Sequence, residues 1–508
     1  MKNMKNGTSK SEVKRGVAKS EPRPPLISKQ DMPRIAIFFI SSLLSAFFIL
    51  EKIDAQHLIG GFLVSSLLLF ILYRDIMRYK PAYMKKDSML LLLCLILIFT
   101  LFMGKLFSYL LLGLSKGIGS IPIESAIFGM PLPAGAMLVT LLLDFHTAII
   151  FSFTVSILTG LWLHDAALTL YVFVGSLIAA FSVIRCKKRS ALILGGLYVI
   201  VVNIVTVIII FLFDGELFTT KAVSSMMFAV LAGLSVLAIV SIVLPLLEYL
   251  FKVTTDISLL ELLDLHQPVM KTFMVTTPGT YHHSVIVGNL VESAAEAVGV
   301  NPLLARVSAY YHDIGKIKMP EYFIENMSGS TSKHDRLSPH MSSMIIVNHV
   351  KEGVEIAKQE KLPPAVIDII HQHHGTSLIT YFYQKAKEQT PDVIPPIEDY
   401  RYPGPKPQTR VAALVMMADE VEAASSVLKE PTPARIASLV DRIINHIFLD
   451  GQLDECELTL KDIYEVKRCF THILTGIFHK RIDYPGFDFT ADESLYKEPA
   501  KVNKGKTA

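Results

Sequence analysis

Residues 88–113 read SMLLLLCLILIFTLFMGKLFSYLLLG, and Lys105 is the one charge in the run. About 20 apolar residues wound as a helix cross the hydrocarbon core of a bilayer. No strand or soluble core calls for so unbroken a stretch. Comparable runs lie on both sides, at 34–50, 57–73, 126–143, 146–163, 168–184, 191–213 and 223–250. Eight candidate membrane spans result. The fourth and fifth are separated only by Asp144, Phe145 and His146, so a merger there would leave seven. Pro131 and Pro133 are expected to bend or break the fourth span. Lys105 reads as a snorkelling side chain or a helix irregularity beside Gly104 rather than a transport site.

Charge placement supports the even count. With eight spans, one side of the membrane receives the N-terminal tail, Arg74, Arg78, Lys80, Lys85 and Lys86, then Arg185, Lys187, Lys188 and Arg189. The opposite loops hold only Lys52, Lys116 and Lys221 as basic residues. Basic loops stay in the cytoplasm. Both termini are therefore expected there, in a bacterial inner membrane.

The chain has 508 residues, of which 51% are hydrophobic and 19% charged. That excess is confined to residues 34–251, and the remainder has ordinary globular composition. A net charge of +3 gives no reason to expect a nucleic-acid polymer as partner. The four cysteines form no CxxC pair, which argues against a disulfide framework or a zinc finger. The expected organisation is a disordered basic tail (1–33), a membrane domain (34–251) and an amphipathic linker (252–277) built on Leu259, Leu260, Leu262, Leu263 and Leu265. An all-α soluble domain (278–485) and a flexible tail (486–508) follow.

The soluble part carries a recurring chemistry. Thr280 to Ser284 opens a helix with Val287, Leu290, Val291, Ala294 and Val298 on one face and Gly299 as its stop. A second helix ends at His312-Asp313-Ile314-Gly315-Lys316. Ser338-Pro339 caps a third, which carries His349. Pro363-Pro364 starts a fourth, leading to His373 and His374 before Gly375. A fifth holds Val411, Val415, Ala418 and Asp419. His373 shares the inward face of Val366 and Ile369, as Asp419 shares that of Val415. Buried polar side chains need partners. His283, His312, Asp313, His349, His373, His374 and Asp419 are too many ligands for one zinc and suit two metal ions. Nitrogen and oxygen donors without thiolate point to manganese, iron or a similar divalent ion.

These stretches resemble the HD superfamily of metal-dependent phosphohydrolases, and more closely the seven-transmembrane HD family that includes cyclic di-AMP phosphodiesterases. The resemblance is carried by residues 278–284, 312–316, 322–326, 334–339, 348–351, 373–376, 401–408 and 418–419, and by the membrane segment 134–140. It implies one metal held by His283, His312, Asp313 and Asp419 and a second held by Asp313, His349, His373 and His374, with Asp313 bridging. It implies catalytic roles for Asp313 and Lys316, and makes Lys316, Arg401 and Lys406 candidate phosphate contacts. It assigns His282 no metal role. The expected reaction is hydrolysis of cyclic di-AMP to 5′-pApA, with a cyclic dinucleotide, membrane lipid and a second copy of the chain as partners. The sequence departs from the family in having Glu51–Gln56 where a large extracellular domain is usual, Val411 where an acidic residue is common, and a loop-like Met327–Lys333 segment. An enzyme of cyclic di-GMP would carry Gly-Tyr-Pro after the double histidine, and here Gly375-Thr376-Ser377 follows. A catalytically dead receptor would show eroded ligands, and all seven are present.

Overall fold

The computed structural model describes residues 32–50, 54–81, 87–119, 122–186, 188–327, 332–389 and 394–478. The expected N-terminal tail lies outside these residues except for its last two positions. The C-terminal tail lies wholly outside them, as do parts of the 51–56 turn and the 327–333 loop. The described residues are helical, with no strand and one isolated bridge between Leu378 and Arg401. The chain divides into two compact units between Thr255 and Asp256.

The first unit contains α1 (Met32–Ile49), α2 (Ala55–Tyr79), α3 (Asp87–Ile118), a 3-10 helix (Ile123–Gly129) with α4 (Pro133–Leu142), α5 (Phe145–Leu163), α6 (Ala166–Ser182), α7 (Ala191–Phe213) and α8 (Thr220–Phe251). Seven of these segments are long and apolar enough to cross a membrane; α6 is apolar but has 17 residues. It nevertheless runs the length of its neighbour. Phe145 at the start of α5 meets Phe181 near the end of α6, with ring centroids 6.2 Å apart. The 144–146 turn separates two spans rather than joining them, because Asp144 caps α5 through Thr147 N. The protein is a multi-pass membrane protein.

Ion pairs gather the segments expected on one side of the membrane. Arg34 meets Asp87 at 2.6 Å, Lys80 meets Asp144 at 3.4 Å, His146 meets Asp75 at 2.8 Å and Arg189 meets Glu248 at 3.4 Å. The fourth span is broken where the prolines stand. Non-helical backbone at membrane depth persists only when enclosed by protein, and Met130 and Leu132 at the break are buried. Tyr171 donates its hydroxyl to the freed Phe128 carbonyl at 2.7 Å. Lys105 reaches the Leu50 carbonyl at 2.6 Å, at the end of α1, as snorkelling requires.

The second unit starts with α9 (Asp256–Leu262) and α10 (Pro268–Thr276), followed by α11 (Pro278–Val298) and α12 (Pro302–Tyr311). Next come α13 (Pro339–Gln359), α14 (Pro364–Gln372), α15 (Thr380–Gln389), α16 (Arg410–Ser426), α17 (Pro433–Leu449) and α18 (Leu460–Ile477). The stretch expected as a linker is part of the packing. Leu259, Met270 and Phe273 are buried with Val307, Tyr311 and Ile370. Tyr311 also donates to the Leu262 carbonyl at 2.7 Å. A leucine-rich amphipathic pattern specifies a buried face and leaves open what covers it.

A second apolar cluster joins Val287, Leu290 and Val291 of α11 to α16, α17 and α18. Helix α16 is buried from Val411 to Asp419, the signature of a helix enclosed on all sides. The helix starts follow local chemistry. Ser338 Oγ accepts from Met341 N, Thr409 Oγ1 from Ala412 N and Asn301 Oδ1 from Leu304 N. Gly299, at φ 70°, ends α11 in the left-handed conformation that glycine adopts without strain.

Candidate metal centre

All seven candidate ligands come together. His283 projects from α11, His312 and Asp313 follow the end of α12, and His349 sits in α13. His373 and His374 follow α14, and Asp419 lies in α16. His312 and His373 are fully buried, and Asp313 is 1% exposed. One ligand atom from each of His283, His312, Asp313 and Asp419 lies within 4.8 Å of the others. The same holds for Asp313, His349, His373 and His374. His282, on the same helix as His283, is exposed.

The helices orient the imidazoles through their own backbone. Nδ1 of His312 lies 2.7 Å from the Ala309 carbonyl, Nδ1 of His349 2.5 Å from that of Ile346, and Nδ1 of His373 2.8 Å from that of Ile370. A carbonyl only accepts, so each Nδ1 carries the proton and each Nε2 of the neutral ring presents a lone pair. Nε2 of His349 and Nε2 of His373 then face each other at 3.3 Å. Two acceptors at that distance need something positive between them.

Asp313 completes the pattern. Its Oδ1 lies 3.2 Å from His349 Nε2 and 3.7 Å from His373 Nε2. Its Oδ2 lies 3.3 Å from His312 Nε2 and 3.9 Å from His283 Nε2. Each oxygen thus faces a different set of rings. Apart from Lys316 Nζ, 2.6 Å from Oδ2, these oxygens have only the imidazoles near them, and none makes a well-directed hydrogen bond. His312 Nε2 is likewise buried without a hydrogen-bond partner. Orphaned lone pairs converging in this way are the donor set of a cation site.

The electrostatics agree. Burial opposes the charge on His283, but hydrogen bonds to Asp419 and Glu422 outweigh it and push its pKa up to about 9. Burial likewise opposes charge on His312, and Asp313 and Asp419 push it up to about 10. Burial would raise Asp313 and Asp419. Lys316 and His312 overcome it for Asp313, and the adjacent His283 and His312 rings overcome it for Asp419, so both lie well below the usual carboxylate range. Burial and the neighbouring His373 hold His374 well below the ordinary imidazole value. Charged carboxylates at Asp313 and Asp419 and a neutral imidazole at His374 are the protonation states in which such groups ligate a cation.

Glu422, one turn beyond Asp419 on α16, pairs with Nδ1 of His283. It orients that ring as backbone carbonyls orient those of His312, His349 and His373. Nothing in the spacing separated Glu422 from a solvated helix charge. Glu422→Gln is expected to weaken metal binding about tenfold to a hundredfold, measured by titration with a competing chelator. Unchanged affinity would remove Glu422 from the site.

Lys316 is held beside the centre by Asp313 and by Glu325, 2.9 Å away. Burial opposes its charge and those carboxylates keep it protonated. Glu325 also accepts from Thr280 Oγ1 at 2.8 Å, and the Asn326 side chain receives the backbone N–H of Gly279 and Thr280. The turn at 324–326 thereby locks the start of α11. A cavity of about 580 Å3 opens onto Lys316, His349, His374 and Asp419. Its walls include Tyr322, Phe323, Tyr381, Phe382 and Tyr402, and Tyr402 stacks on His374 with centroids 4.2 Å apart. Periodicity could not nominate these aromatics, since in a helical or loop segment they read as core.

Arg401 and Lys406 do not line this cavity. Arg401 forms a paired contact with Asp450 at 3.1 and 3.2 Å and donates to the Thr376 carbonyl. Lys406 donates to the Gly451 carbonyl at 2.8 Å and meets Asp454 at 3.5 Å. Their expected role as phosphate contacts gives way to one of pinning the 401–408 loop to the end of α17. Their ion-pair partners, Asp450 and Asp454, lie more than 40 residues away in sequence, so nothing local announced them.

Comparison with known proteins matches residues 55–255 to a family model described as 7TM receptor with intracellular HD hydrolase, and residues 280–424 to the HD domain. The cyclic-di-AMP phosphodiesterase PgpH of Bacillus subtilis (strain 168) is 38% identical over 364 residues, covering 70% of this chain and 51% of that protein. The protein of the same name from Listeria monocytogenes serotype 1/2a (strain 10403S) is 40% identical over 372 residues, covering 72% and 51%. A crystal structure of the L. monocytogenes PgpH HD domain in complex with cyclic-di-AMP is 48% identical, covers 43% of this chain and 100% of that chain, and gives a TM-score of 0.41. The chain spans about half the length of the curated relatives it matches. Through its membrane helices and its histidine-rich soluble unit alike, the chain belongs to the family of 7TM receptors with an intracellular HD hydrolase.

Proposed function

We propose that the protein is a membrane-anchored, metal-dependent phosphodiesterase that opens cyclic di-AMP to linear 5′-pApA. The observation that carries the reading is the pair of four-residue donor sets sharing Asp313. In this reading His283, His312, Asp313 and Asp419 hold one divalent cation. Asp313, His349, His373 and His374 hold the other. Manganese and iron suit these donors. Such cations, when bound, lower the pKa of water to the neutral range and offset charge on phosphoryl oxygens.

The chain's own groups supply the rest. Lys316, held protonated, offers a fixed positive charge to a phosphoryl oxygen during attack. The helix carbonyls hold the imidazole rings still, so no reorganisation is needed at the moment of reaction. The aromatic walls of the cavity give flat surfaces on which bases can stack. Both curated relatives above carry cyclic-di-AMP phosphodiesterase in their names, which supports the choice of dinucleotide. The ion-paired end of the membrane unit, rich in basic residues, supports a bacterial inner membrane with both termini in the cytoplasm.

The test uses the full chain in detergent, loaded with Mn(II) or Fe(II) and offered cyclic di-AMP and cyclic di-GMP separately. Chromatography should show 5′-pApA accumulating from cyclic di-AMP, with much slower turnover of cyclic di-GMP. Bound metal without turnover of either dinucleotide would favour a receptor role and overturn the enzyme reading.

A further inference from the structure

Among the described residues lining the cavity, His334 alone has a buried side-chain polar atom without a hydrogen-bond partner. It sits in the 3-10 turn Lys333–Arg336 and is 8% exposed. It belongs to neither donor set of the metal centre. Its Nε2 lies 2.9 Å from the Tyr322 carbonyl. A carbonyl only accepts, so Nε2 carries the proton and Nδ1 of the neutral ring is a lone pair. That Nδ1 is the unpartnered atom, shielded from bulk water.

The ring cannot easily turn away to satisfy it. It packs between Tyr322, with centroids 5.3 Å apart, and Phe382, at 5.0 Å. Both rings line the cavity, with Phe323, Tyr381 and Tyr402. A fixed acceptor therefore stands in an aromatic wall suited to the faces of a flat heterocycle. Burying an acceptor without a partner carries a free-energy cost. A ligand that enters and brings a donor removes that cost, and one that brings a lone pair increases it.

We propose that Nδ1 of His334 accepts a hydrogen bond from the exocyclic 6-amino group of an adenine base, making His334 a specificity-determining residue. The proposal rests on the cyclic dinucleotide reading given above. Among nucleobases, adenine combines a stacking purine face with an amino donor at position 6. A 6-oxo purine places an acceptor there, lone pair against lone pair. A purine without a substituent at position 6 leaves Nδ1 unpaired.

The experiment compares two substrates on the full, Mn(II)-loaded chain. One is cyclic di-AMP. The other is the same cyclic dinucleotide built from purine lacking the 6-amino group. The wild-type kcat/KM is expected to be about tenfold to a hundredfold lower for the analogue. In His334→Phe, which keeps the aromatic packing and removes the acceptor, the two substrates should converge. The preference is a ratio within one preparation, so a partly folded variant cannot imitate its loss. His334→Gln, which returns a side-chain carbonyl, should restore part of the preference. Equal turnover of both substrates by the wild type, or an undiminished preference in His334→Phe, would overturn the assignment and leave the phosphodiesterase reading intact. No wild-type turnover of either substrate would sink both.

Discussion

Asp313→Ala is expected to lose turnover of cyclic di-AMP by about a thousandfold or more. The carboxylate presents one oxygen to His349 and His373 and the other to His312 and His283. Its loss therefore strips a donor from both sets at once. Elemental analysis of the purified chain should show both cations depleted, where a variant at the edge of one set would deplete one. Asp313→Asn keeps the shape and removes the charge, and should fall between the wild type and alanine in metal content. A fully active Asp313→Ala protein would end the mechanism proposed here.

Gly315→Ala should be nearly as damaging, by a different route. A Cβ on Gly315 would lie 1.9 Å from the His349 carbonyl oxygen and 2.5 Å from Gly353 N. Both obstacles are backbone, so neither can rotate aside. The Asp313–Lys318 turn must withdraw from α13, carrying Asp313 away from His349. A destabilisation of about 3 kcal/mol is expected, read as a lower Tm, together with lost metal. Gly476→Ala in α18 is the control. Nothing lies within 4 Å of its would-be Cβ, and alanine is the better helix former by roughly 0.5–1 kcal/mol. If Gly315→Ala melts with Gly476→Ala, the close approach carries no weight.

Much of this was legible in the chain. Apolar runs and loop charges marked the spans, because a bilayer imposes one length and one sign rule on every helix. Ser338, Gly299 and Pro364 fixed helix ends by local hydrogen bonding and backbone geometry. The seven histidines and aspartates stood out because such residues are costly to bury without a cation.

Other features depend on partners distant in sequence and could not be read. Arg401 and Lys406 looked like free cations until Asp450 and the Gly451 carbonyl came beside them. The leucines after the last span announced an apolar face, and only the fold showed Tyr311 and Val307 against it. The roles proposed for Glu422 and His334 rest on the direction in which a ring nitrogen points. Direction has no signature in composition or periodicity.

The three histidine rings tied to the carbonyls of Ala309, Ile346 and Ile370 have a thermodynamic consequence. Their rotamers are fixed by backbone carbonyls one helical turn earlier, so the conformational search for a coordination geometry is completed during folding. A cation that binds only this arrangement, and not the unfolded chain, shifts the folding equilibrium by mass action. At a free concentration of a hundred times its dissociation constant it adds about 2.7 kcal/mol. On the proposed reading, metal supply therefore sets the lifetime of the soluble unit as well as its activity, and a cell short of the cation would lose the protein along with its turnover.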